Sequence, residues 1–512
     1  MHGESLQIES QRQQAARLAD CGEFAKSVEL LRRANAKWRN DASLMSDLAS
    51  AYVRLPDFKK AERCLSRLLD VHAGNAEVLK FVAELRYAMR HVHGALDAYE
   101  LCASVEETTT AGWLGAAAIQ ERMGQLEAAA ESVRKALKRD AGSERGRYLQ
   151  SFLFVRMGRW GEAEQCLCDL LGSGLHDREI HWRAGHQLAA VLDRQGEHAS
   201  ALQVLLATKQ GMEHDYAAEI KAARATFLFK SGKIRQLMEE LTPRMLEGWM
   251  DGAEAGFPAA VLAGHPRSGT TLLGSIVGRH SQVSCIEETA CMENQIFRSV
   301  FQKDSAEPKL FESGYLAAVT AGARQQAQRG YLNAIRQFSH EGAKSSDLII
   351  DKNPMLTQFL AVALRFMPGL KMLMMLRDPR DVCWSCFQHP AGVAVSNVSW
   401  LSIEDTMTSY RDIMEIWLRL REMLPTGWLE VRYEELVKDT EEVSREVVDF
   451  LELPWQACTQ DLQTQETTIH SPTYAEVAKP VYRSAVGRWK AYEEFLSPHM
   501  KVLESSIQSL GY

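Results

Sequence analysis

The feature that most constrains the fold of this chain is the stretch VLAGHPRSGTTLL at residues 261–273, which runs from an apolar segment through a loop into helix-forming residues. Gly264 and Gly269 bracket four residues, as in the phosphate-binding pattern G-x-x-x-x-G-K-[ST], but Thr270 occupies the lysine position. Glycines allow close backbone approach, and the helix start presents N–H groups to an anion. The stretch predicts a strand–loop–helix unit for a phosphate-bearing ligand other than a hydrolysable magnesium nucleotide.

Polar side chains complete this loop. The guanidinium of Arg267 offers a fixed fork of donors suited to phosphate or sulfate oxygens. Ser268, Thr270 and Thr271 add hydroxyl groups. The alternative is an ordinary strand-to-helix turn with a surface arginine.

The segment GHPRSGTTLL resembles the 5′-phosphosulfate loop of sulfotransferases that use 3′-phosphoadenosine-5′-phosphosulfate (PAPS), in particular the tyrosylprotein sulfotransferases. The resemblance covers roughly residues 258–512, half of the chain. It implies PAPS as co-substrate without a metal, because lysine and arginine supply the cations. The implied ligands of the 5′-phosphosulfate are Arg267, Ser268, Gly269, Thr270 and Thr271.

A second motif, KMLMMLRDPRDVCWSCF, occupies residues 371–387. Arg377 closes an apolar run, and Ser385 follows eight residues later on a predicted helix capped by Asp378. The resemblance implies that Arg377 and Ser385 hold the 3′-phosphate of PAPS. His389 stands where the tyrosylprotein enzymes carry an arginine, and neutral histidine would hold a phosphate less strongly. A surface charge at a strand end is the alternative for Arg377.

Two residues at predicted strand ends have the chemistry of sulfuryl transfer. Glu288, in CIEET at residues 285–289, matches the family's catalytic base, with Glu287 as the adjacent competitor. Lys352, in LIIDKNP at residues 348–354, resembles the catalytic lysine that offsets charge on the departing phosphate. Arg267 would share this stabilisation. Solvated strand-end side chains are the alternative for both residues.

Two segments after residue 428 also resemble parts of the tyrosylprotein sulfotransferases. Tyr433 coincides with a family tyrosine that contacts the nucleotide, and residues 473–492 resemble a late loop that folds over the cofactor. Within that loop Arg488 would add a second cation for the 3′-phosphate. Thr473 and Ser471 are the candidate hydroxyls, and an ordinary surface segment is the alternative.

The N-terminal half contains a repeat of a different kind. Small residues recur at a spacing of 34, the period of tetratricopeptide repeats, and a sixth copy near residues 196–206 slips to 38. Such helix pairs bury their apolar faces only against their neighbours, so about six repeats predict a curved solenoid. The five small residues in register are Ser27, Ala61, Ala95, Ala129 and Ala163.

The predicted architecture is a tetratricopeptide solenoid over residues 8–208, capping helices and a linker over 209–256, and an α/β sulfotransferase domain with a central parallel sheet over 257–512. The solenoid would either recruit a peptide or protein acceptor or serve as a packing or homodimer scaffold. The expected activity is transfer of a sulfuryl group from PAPS to a hydroxyl, with tyrosine favoured by the resemblance. A P-loop kinase or NTPase and an inactive PAPS-binding adaptor are the alternatives.

Charge and composition bear on the type of partner and on the cellular location. A net charge of −8 on 512 residues argues against a nucleic-acid partner. The N-terminus lacks an apolar signal region and no window is apolar enough to span a membrane, so the expectation is a cytoplasmic protein. The ten scattered cysteines fit reduced, buried thiols.

Overall fold

The structure is a computed structural model that describes residues 2–21, 23–105, 110–250, 257–297, 316, 318–339, 347–456 and 485–512. Contacts divide the chain into two compact units, the first built around residues 2–166 with 330–338 and the second around 167–297 and 347–512. The division falls within the helix Trp160–Gly172. The domain limits predicted at residues 208 and 256 stay a prediction.

Fourteen helices precede the first strand among the described residues. They are α1 His2–Asp20, α2 Phe24–Lys37, α3 Ala42–Arg54, α4 Phe58–His72, α5 Ala76–Ala88, α6 Val92–Val105, α7 Ala111–Arg122, α8 Leu126–Arg139, α9 Glu144–Arg156, α10 Trp160–Gly172, α11 Arg178–Gln195, α12 His198–Asp215, α13 Ala217–Glu240 and α14 Pro243–Met250.

The N-terminal helices are arranged as the 34-residue period predicts. The second helix of each of the first five pairs begins 34 residues after the one before it, at Phe24, Phe58, Val92, Leu126 and Trp160. The small residue three positions later in each helix is at most 2% exposed. A small side chain at this point lets the paired helices approach closely. The predicted tetratricopeptide-like helical region is confirmed.

The turns inside the pairs use a left-handed residue. Gly124 and Gly158 have φ of 76° and 73°, and the equivalent position one repeat earlier is Arg90, with φ of 68°. A side chain in this conformation costs about 1–2 kcal/mol because Cβ approaches the following carbonyl oxygen. Nothing lies within 4 Å of the site where a Cβ would stand on Gly124, so backbone strain alone sets the cost there.

Substitutions at the equivalent positions 124 and 90 should have opposite effects on the free energy of unfolding. Gly124→Ala should lower the free energy of unfolding of the repeat unit by about 1 kcal/mol, because the strain outweighs the lost freedom of the unfolded chain. Arg90→Gly should raise it or leave it unchanged. Urea denaturation followed by circular dichroism measures both, and a stabilising Gly124→Ala would contradict the assignment of the turn.

The second unit contains a parallel five-stranded sheet. Its strands are β1 Ala259–Gly264, β2 Val283–Glu287, β3 Leu348–Lys352, β4 Lys371–Leu376 and β5 Trp428–Arg432, in the order β2-β3-β1-β4-β5. The central strand β1 is buried along its whole length, as expected for a strand covered on both faces. The predicted α/β domain with a parallel sheet is confirmed.

Helices and short 3-10 or π segments connect and cover these strands. The helices are α15 Thr270–Val277, α16 Ala321–Ile335, α17 Leu360–Phe366, α18 Pro379–Gln388, α19 Ile403–Met423, α20 Tyr433–Lys438, α21 Thr440–Phe450, α22 Glu493–Leu496 and α23 Glu504–Leu510. The short segments are Glu293–Phe297, Arg336–Phe338, Pro354–Phe359, Val398–Leu401, Arg488–Tyr492 and Ser497–Leu503.

The sixth helix pair, α11–α12, shares a core with the α/β part of the second unit. Trp182 and Met212 from this pair and Ile220 from α13 form one apolar cluster with Val398 and Leu401. His186 on α11 also contacts the carbonyl of Gln388, the last residue of α18. Across the described ranges, no helix is both long and apolar enough to cross a membrane.

Candidate active site

The site begins in the loop that follows β1. Two positions of this loop require glycine. Gly264 has φ of 149°, and a Cβ there would lie 2.6 Å from the carbonyl oxygen of Met375 on β4. Gly269 has φ of 104°, and its Cβ would meet the Tyr433 ring at 2.5 Å. The loop therefore lies tight against its neighbours, and α15 starts directly after it. This geometry is that of a backbone cradle for an anion at a helix N-terminus.

Thr357 fixes the first glycine of the cradle. The Gly264 N–H donates to Thr357 Oγ1 at 2.9 Å, and the same hydroxyl donates to the Gly264 carbonyl at 2.5 Å. Sequence reasoning missed this residue, because it lies 93 positions away on another segment and carries no local motif.

Lys352 and Glu288 meet at the neighbouring strand ends. Lys352 Nζ lies 2.8 Å from Glu288 Oε1 and 3.3 Å from Thr271 Oγ1, at the start of α15. Glu287 Oε1 is farther from the same nitrogen, at 3.6 Å. The Lys352 side chain is fully buried, whereas that of Glu288 is 41% exposed. The pair thus combines a fixed cation with a carboxylate that an incoming molecule can reach.

The backbone at this pair is strained. Glu288 has φ of 47°, in the left-handed region, and its N–H donates to the Lys352 carbonyl at 2.8 Å. Arg267, in the cradle, has φ of 72°. Non-glycine residues in this conformation are typical of functional sites, where the surrounding structure holds them.

The two predicted phosphate-binding groups of the second motif join the cradle. Arg267 Nε donates to Ser385 Oγ at 3.0 Å. Arg377 Nη1 donates to the Arg267 carbonyl at 3.0 Å and Nη2 to the Ala485 carbonyl at 2.5 Å. Asp378 caps α18 through the Arg380 N–H, as the sequence predicts. The structure therefore brings together three predicted ligands at the carboxyl ends of β1 and β4: Arg267, Arg377 and Ser385.

Arg377 has unused hydrogen-bonding capacity. Its side chain is 8% exposed, and Nε is buried without a hydrogen-bond partner among the described residues. The guanidinium lies 4.9 Å from the centroid of the Tyr433 ring and 3.8 Å from Asp381 Oδ2. A buried N–H without a partner is costly, so a bound anion would satisfy it.

Asp381 and Asp193 anchor the segment that contains Arg488. Asp381 accepts from the N–H groups of Gly487 and Trp489, at 2.6 and 3.0 Å. Asp193, on α11, accepts from the Arg488 guanidinium and the Tyr492 hydroxyl. The role of Arg488 as a phosphate ligand stays a prediction, because its guanidinium already pairs with Asp193. Thr473 and Ser471 lie outside the described residues.

Neutral histidines line this region. Burial lowers the pKa of His265 in the cradle to about 4 and that of His186 on α11 to about 3. The pKa of His389 is well below its usual value, first through burial and then through Arg267, His186 and Lys209. His389 is thus neutral at pH 7, as the sequence analysis expects.

Comparison with known proteins agrees with this geometry. Residues 258–457 match the family model of the Sulfotransferase family. The chain contains a sulfotransferase-family domain. The domain includes the cradle, Glu288, Lys352, Arg377 and Ser385.

Individual relatives match over part of their length. An uncharacterized protein of Aquifex aeolicus (strain VF5) is 26% identical over 357 residues, which cover 68% of this chain and 45% of that protein. Protein-tyrosine sulfotransferase 1 of Danio rerio is 26% identical over 274 residues, covering 50% and 72%. Protein-tyrosine sulfotransferase A of Caenorhabditis elegans is 25% identical over 273 residues, covering 51% and 69%. The match spans less than half the length of the Aquifex protein.

Two solved structures give weaker likenesses. The sulfotransferase domain of the Synechococcus PCC 7002 olefin synthase is 21% identical with a TM-score of 0.33, covering 45% of this chain and 86% of that one. A tetratricopeptide repeat protein from Parabacteroides merdae ATCC 43184 is 18% identical with a TM-score of 0.33, covering 39% and 77%. The fold assignment rests on the helix pairs and the sheet described above.

The buried histidine of the cradle predicts acid sensitivity. In the unfolded chain His265 takes up a proton below about pH 6.5, whereas its folded pKa is about 4. The unfolded state therefore binds more protons in this window, and stability falls as pH falls from 6.5 to 4. His265→Asn should reduce that loss by about 2 kcal/mol between pH 7 and 4.5.

Urea denaturation of the wild type and the variant at both pH values measures the difference. His214→Asn is the matched control, because the His214 side chain is 89% exposed. Equal pH dependence of the wild type and His265→Asn would contradict a buried neutral His265.

Proposed function

We propose that this protein is a sulfotransferase that moves the sulfuryl group of PAPS to a hydroxyl acceptor, with a tyrosine of a peptide or protein as the favoured acceptor. The contact that carries the proposal is the one between Lys352 and Glu288, 2.8 Å apart beside the phosphate cradle. The match to the Sulfotransferase family supports the reaction class. The similarity to protein-tyrosine sulfotransferases supports the acceptor.

The residues present fit a phosphosulfate. The cradle leaves no room for a Cβ at Gly264 or Gly269, so its backbone can approach an oxyanion closely. Arg377 Nε is a buried donor without a partner within the described chain. Lys352, which reaches Thr271 from β3, supplies the lysine that the loop lacks at position 270. The 5′-phosphosulfate would lie against residues 267–271 and the 3′-phosphate near Arg377 and Ser385.

Each residue of the pair has a distinct task in the proposed reaction. Glu288 accepts the proton of the acceptor hydroxyl as that oxygen forms its bond to sulfur. PAPS supplies the sulfuryl group, and the bond from sulfur to the bridging phosphate oxygen breaks with its electron pair on that oxygen. Lys352 Nζ offsets the negative charge that develops there. Because Lys352 is fully buried, its charge is weakly screened by water.

A kinase or NTPase is the rival for a cradle of this shape. The lysine position of the P-loop pattern is Thr270. The carboxylate beside the cradle, Glu288, is paired with Lys352, which suits proton transfer from a hydroxyl better than binding of Mg²⁺. ATP turnover that requires Mg²⁺ would favour the rival.

The experiment that tests the proposal is transfer of ³⁵S from labelled PAPS to a tyrosine-containing peptide library. The wild type should label defined peptides, and tyrosine-to-phenylalanine peptides should stay unlabelled. Arg267→Ala should weaken PAPS binding and labelling by about 10- to 100-fold, because a charge-assisted hydrogen bond is lost. Labelling of serine or glycan acceptors alone would contradict the tyrosine acceptor, and no PAPS binding would contradict the proposal as a whole.

The neighbouring carboxylates provide a matched pair of variants. Glu288→Gln should lower kcat by at least about 100-fold, because it removes the base while keeping the shape of the side chain. Glu287→Gln should change kcat by less than about 5-fold, since Glu287 lies farther from Lys352. Single-turnover rates at saturating PAPS measure both effects. The reverse order would assign the base to Glu287.

A further inference from the structure

A buried carboxylate of the sixth helix pair holds the C-terminal segment 485–492. Asp193, on α11, has a side chain that is 7% exposed. Its Oδ2 accepts a hydrogen bond from the Arg488 guanidinium, and its Oδ1 accepts one from the Tyr492 hydroxyl. These two residues begin and end one 3-10 turn. One carboxylate on a repeat-derived helix therefore binds both ends of that turn.

Other atoms of the same segment bind the predicted donor site. Asp381, on α18, accepts from the N–H groups of Gly487 and Trp489 at 2.6 and 3.0 Å. The Ala485 carbonyl accepts from Arg377 Nη2 at 2.5 Å. The segment is thus bonded to α11 through its side chains and to the donor site through its backbone.

The backbone contacts fix the orientation of Arg377. Its Nη1 donates to the Arg267 carbonyl at 3.0 Å and its Nη2 to the Ala485 carbonyl, so both Nη groups are engaged. The remaining donor, Nε, is buried without a hydrogen-bond partner among the described residues. Loss of the Ala485 contact would let the guanidinium turn, and Nε would no longer be held in place for an anion.

Tyr492 extends the same constraint to α18. Its ring is 4% exposed and lies 3.9 Å, between centroids, from the ring of Trp384, which is 1% exposed. The next residue of α18 is Ser385, whose Oγ accepts from Arg267 Nε at 3.0 Å. The bond from the Tyr492 hydroxyl to Asp193 therefore fixes a ring that packs on the helix of this predicted phosphate ligand.

The pair between Asp193 and Arg488 favours a positioning role for both residues. A phosphate that drew Arg488 away would leave the buried carboxylate without its counter-ion, and loss of one partner from a buried pair is strongly destabilising. Arg488 thus has its counter-ion within the protein.

We propose that Asp193 is a positioning residue for the 3′-phosphate of the donor nucleotide. It holds the segment 485–492 and, through that segment, keeps Arg377 and Ser385 in the geometry that the phosphate requires. This inference rests on the proposed function. The sixth helix pair would then set the affinity for the donor without touching the nucleotide.

Calorimetric titration of the full chain with adenosine 3′,5′-bisphosphate and with adenosine 5′-monophosphate tests the proposal, because the two ligands differ only in the 3′-phosphate. Asp193→Asn keeps the size of the side chain and removes the charge that pairs with Arg488. It should weaken bisphosphate binding by about 10-fold and change monophosphate binding by less than about 2-fold, as expected for coupling through packed neighbours. A ratio of the two affinities that stays at the wild-type value would overturn the proposal.

The sign of the effect separates positioning from direct binding by Arg488. If Arg488 were a ligand that Asp193 holds back, Asp193→Asn would release it and strengthen bisphosphate binding, which would overturn the proposal. Arg488→Met should weaken that binding by the same factor as Asp193→Asn. The double variant should lose no more than either single variant, because both changes break one pair. Additive losses would contradict a shared role.

Tyr492→Phe keeps the proposal testable if Asp193→Asn does not fold. It removes only the hydroxyl that Asp193 accepts from, and the ring that packs on Trp384 stays. Bisphosphate binding should weaken by about 3-fold, since one hydrogen bond is lost, with monophosphate binding unchanged. An equal change for both ligands would assign the hydroxyl a purely structural role and overturn the proposal.

Glu179→Gln is the matched control on the same helix. The Glu179 side chain is 57% exposed and lies 2.7 Å from Arg183, one turn along α11. This variant should leave both affinities unchanged. Tight wild-type binding of the bisphosphate with an unchanged ratio in Asp193→Asn would overturn the positioning role alone. Failure of the folded wild type to bind the bisphosphate would overturn the proposed function as well.

Discussion

The ion pair between Lys352 and Glu288 is the interaction on which the site depends. A fully buried ammonium requires a partner, because its desolvation is expensive. Glu288 meets this need only because its backbone adopts φ of 47° and its N–H bonds to the Lys352 carbonyl. The same contact directs a carboxylate with 41% exposure toward incoming molecules. The contact between Lys352 and Glu288 therefore both stabilises the buried ammonium and positions the carboxylate for the proposed chemistry.

The other residues of the site also lie at the carboxyl ends of the strands. The order β2-β3-β1-β4-β5 brings the carboxyl ends of parallel strands together, which is where open α/β sheets bind ligands. The cradle follows β1, Glu288 follows β2, Lys352 ends β3 and Arg377 follows β4. The sixth helix pair reaches the same region, because Asp193 on α11 pairs with Arg488 and Lys209 on α12 lies against the Phe387 ring of α18.

The sequence predicts those parts of the fold that depend on local pattern. The 34-residue spacing predicts helix pairs whose small residues are buried, and the apolar runs ending in Lys352 and Arg377 predict parallel strands. The resemblance assigns Lys352 and Glu288 to one reaction, and their 2.8 Å contact is a finding of the structure. Long-range contacts without a motif are missed, as with Thr357 on Gly264 and Asp193 on Arg488. Tertiary packing determines these contacts, and the sequence around each residue contains no pattern that indicates its partner.

The most direct test of this account is a crystal structure of the protein with adenosine 3′,5′-bisphosphate bound. The account predicts the 5′-phosphate against the backbone of residues 268–271, with Lys352 Nζ within hydrogen-bond distance of it. It also predicts the 3′-phosphate beside Arg377 and Ser385. A nucleotide bound elsewhere, or a 5′-phosphate remote from Lys352, would contradict the claim that these strand ends form one sulfuryl-transfer site.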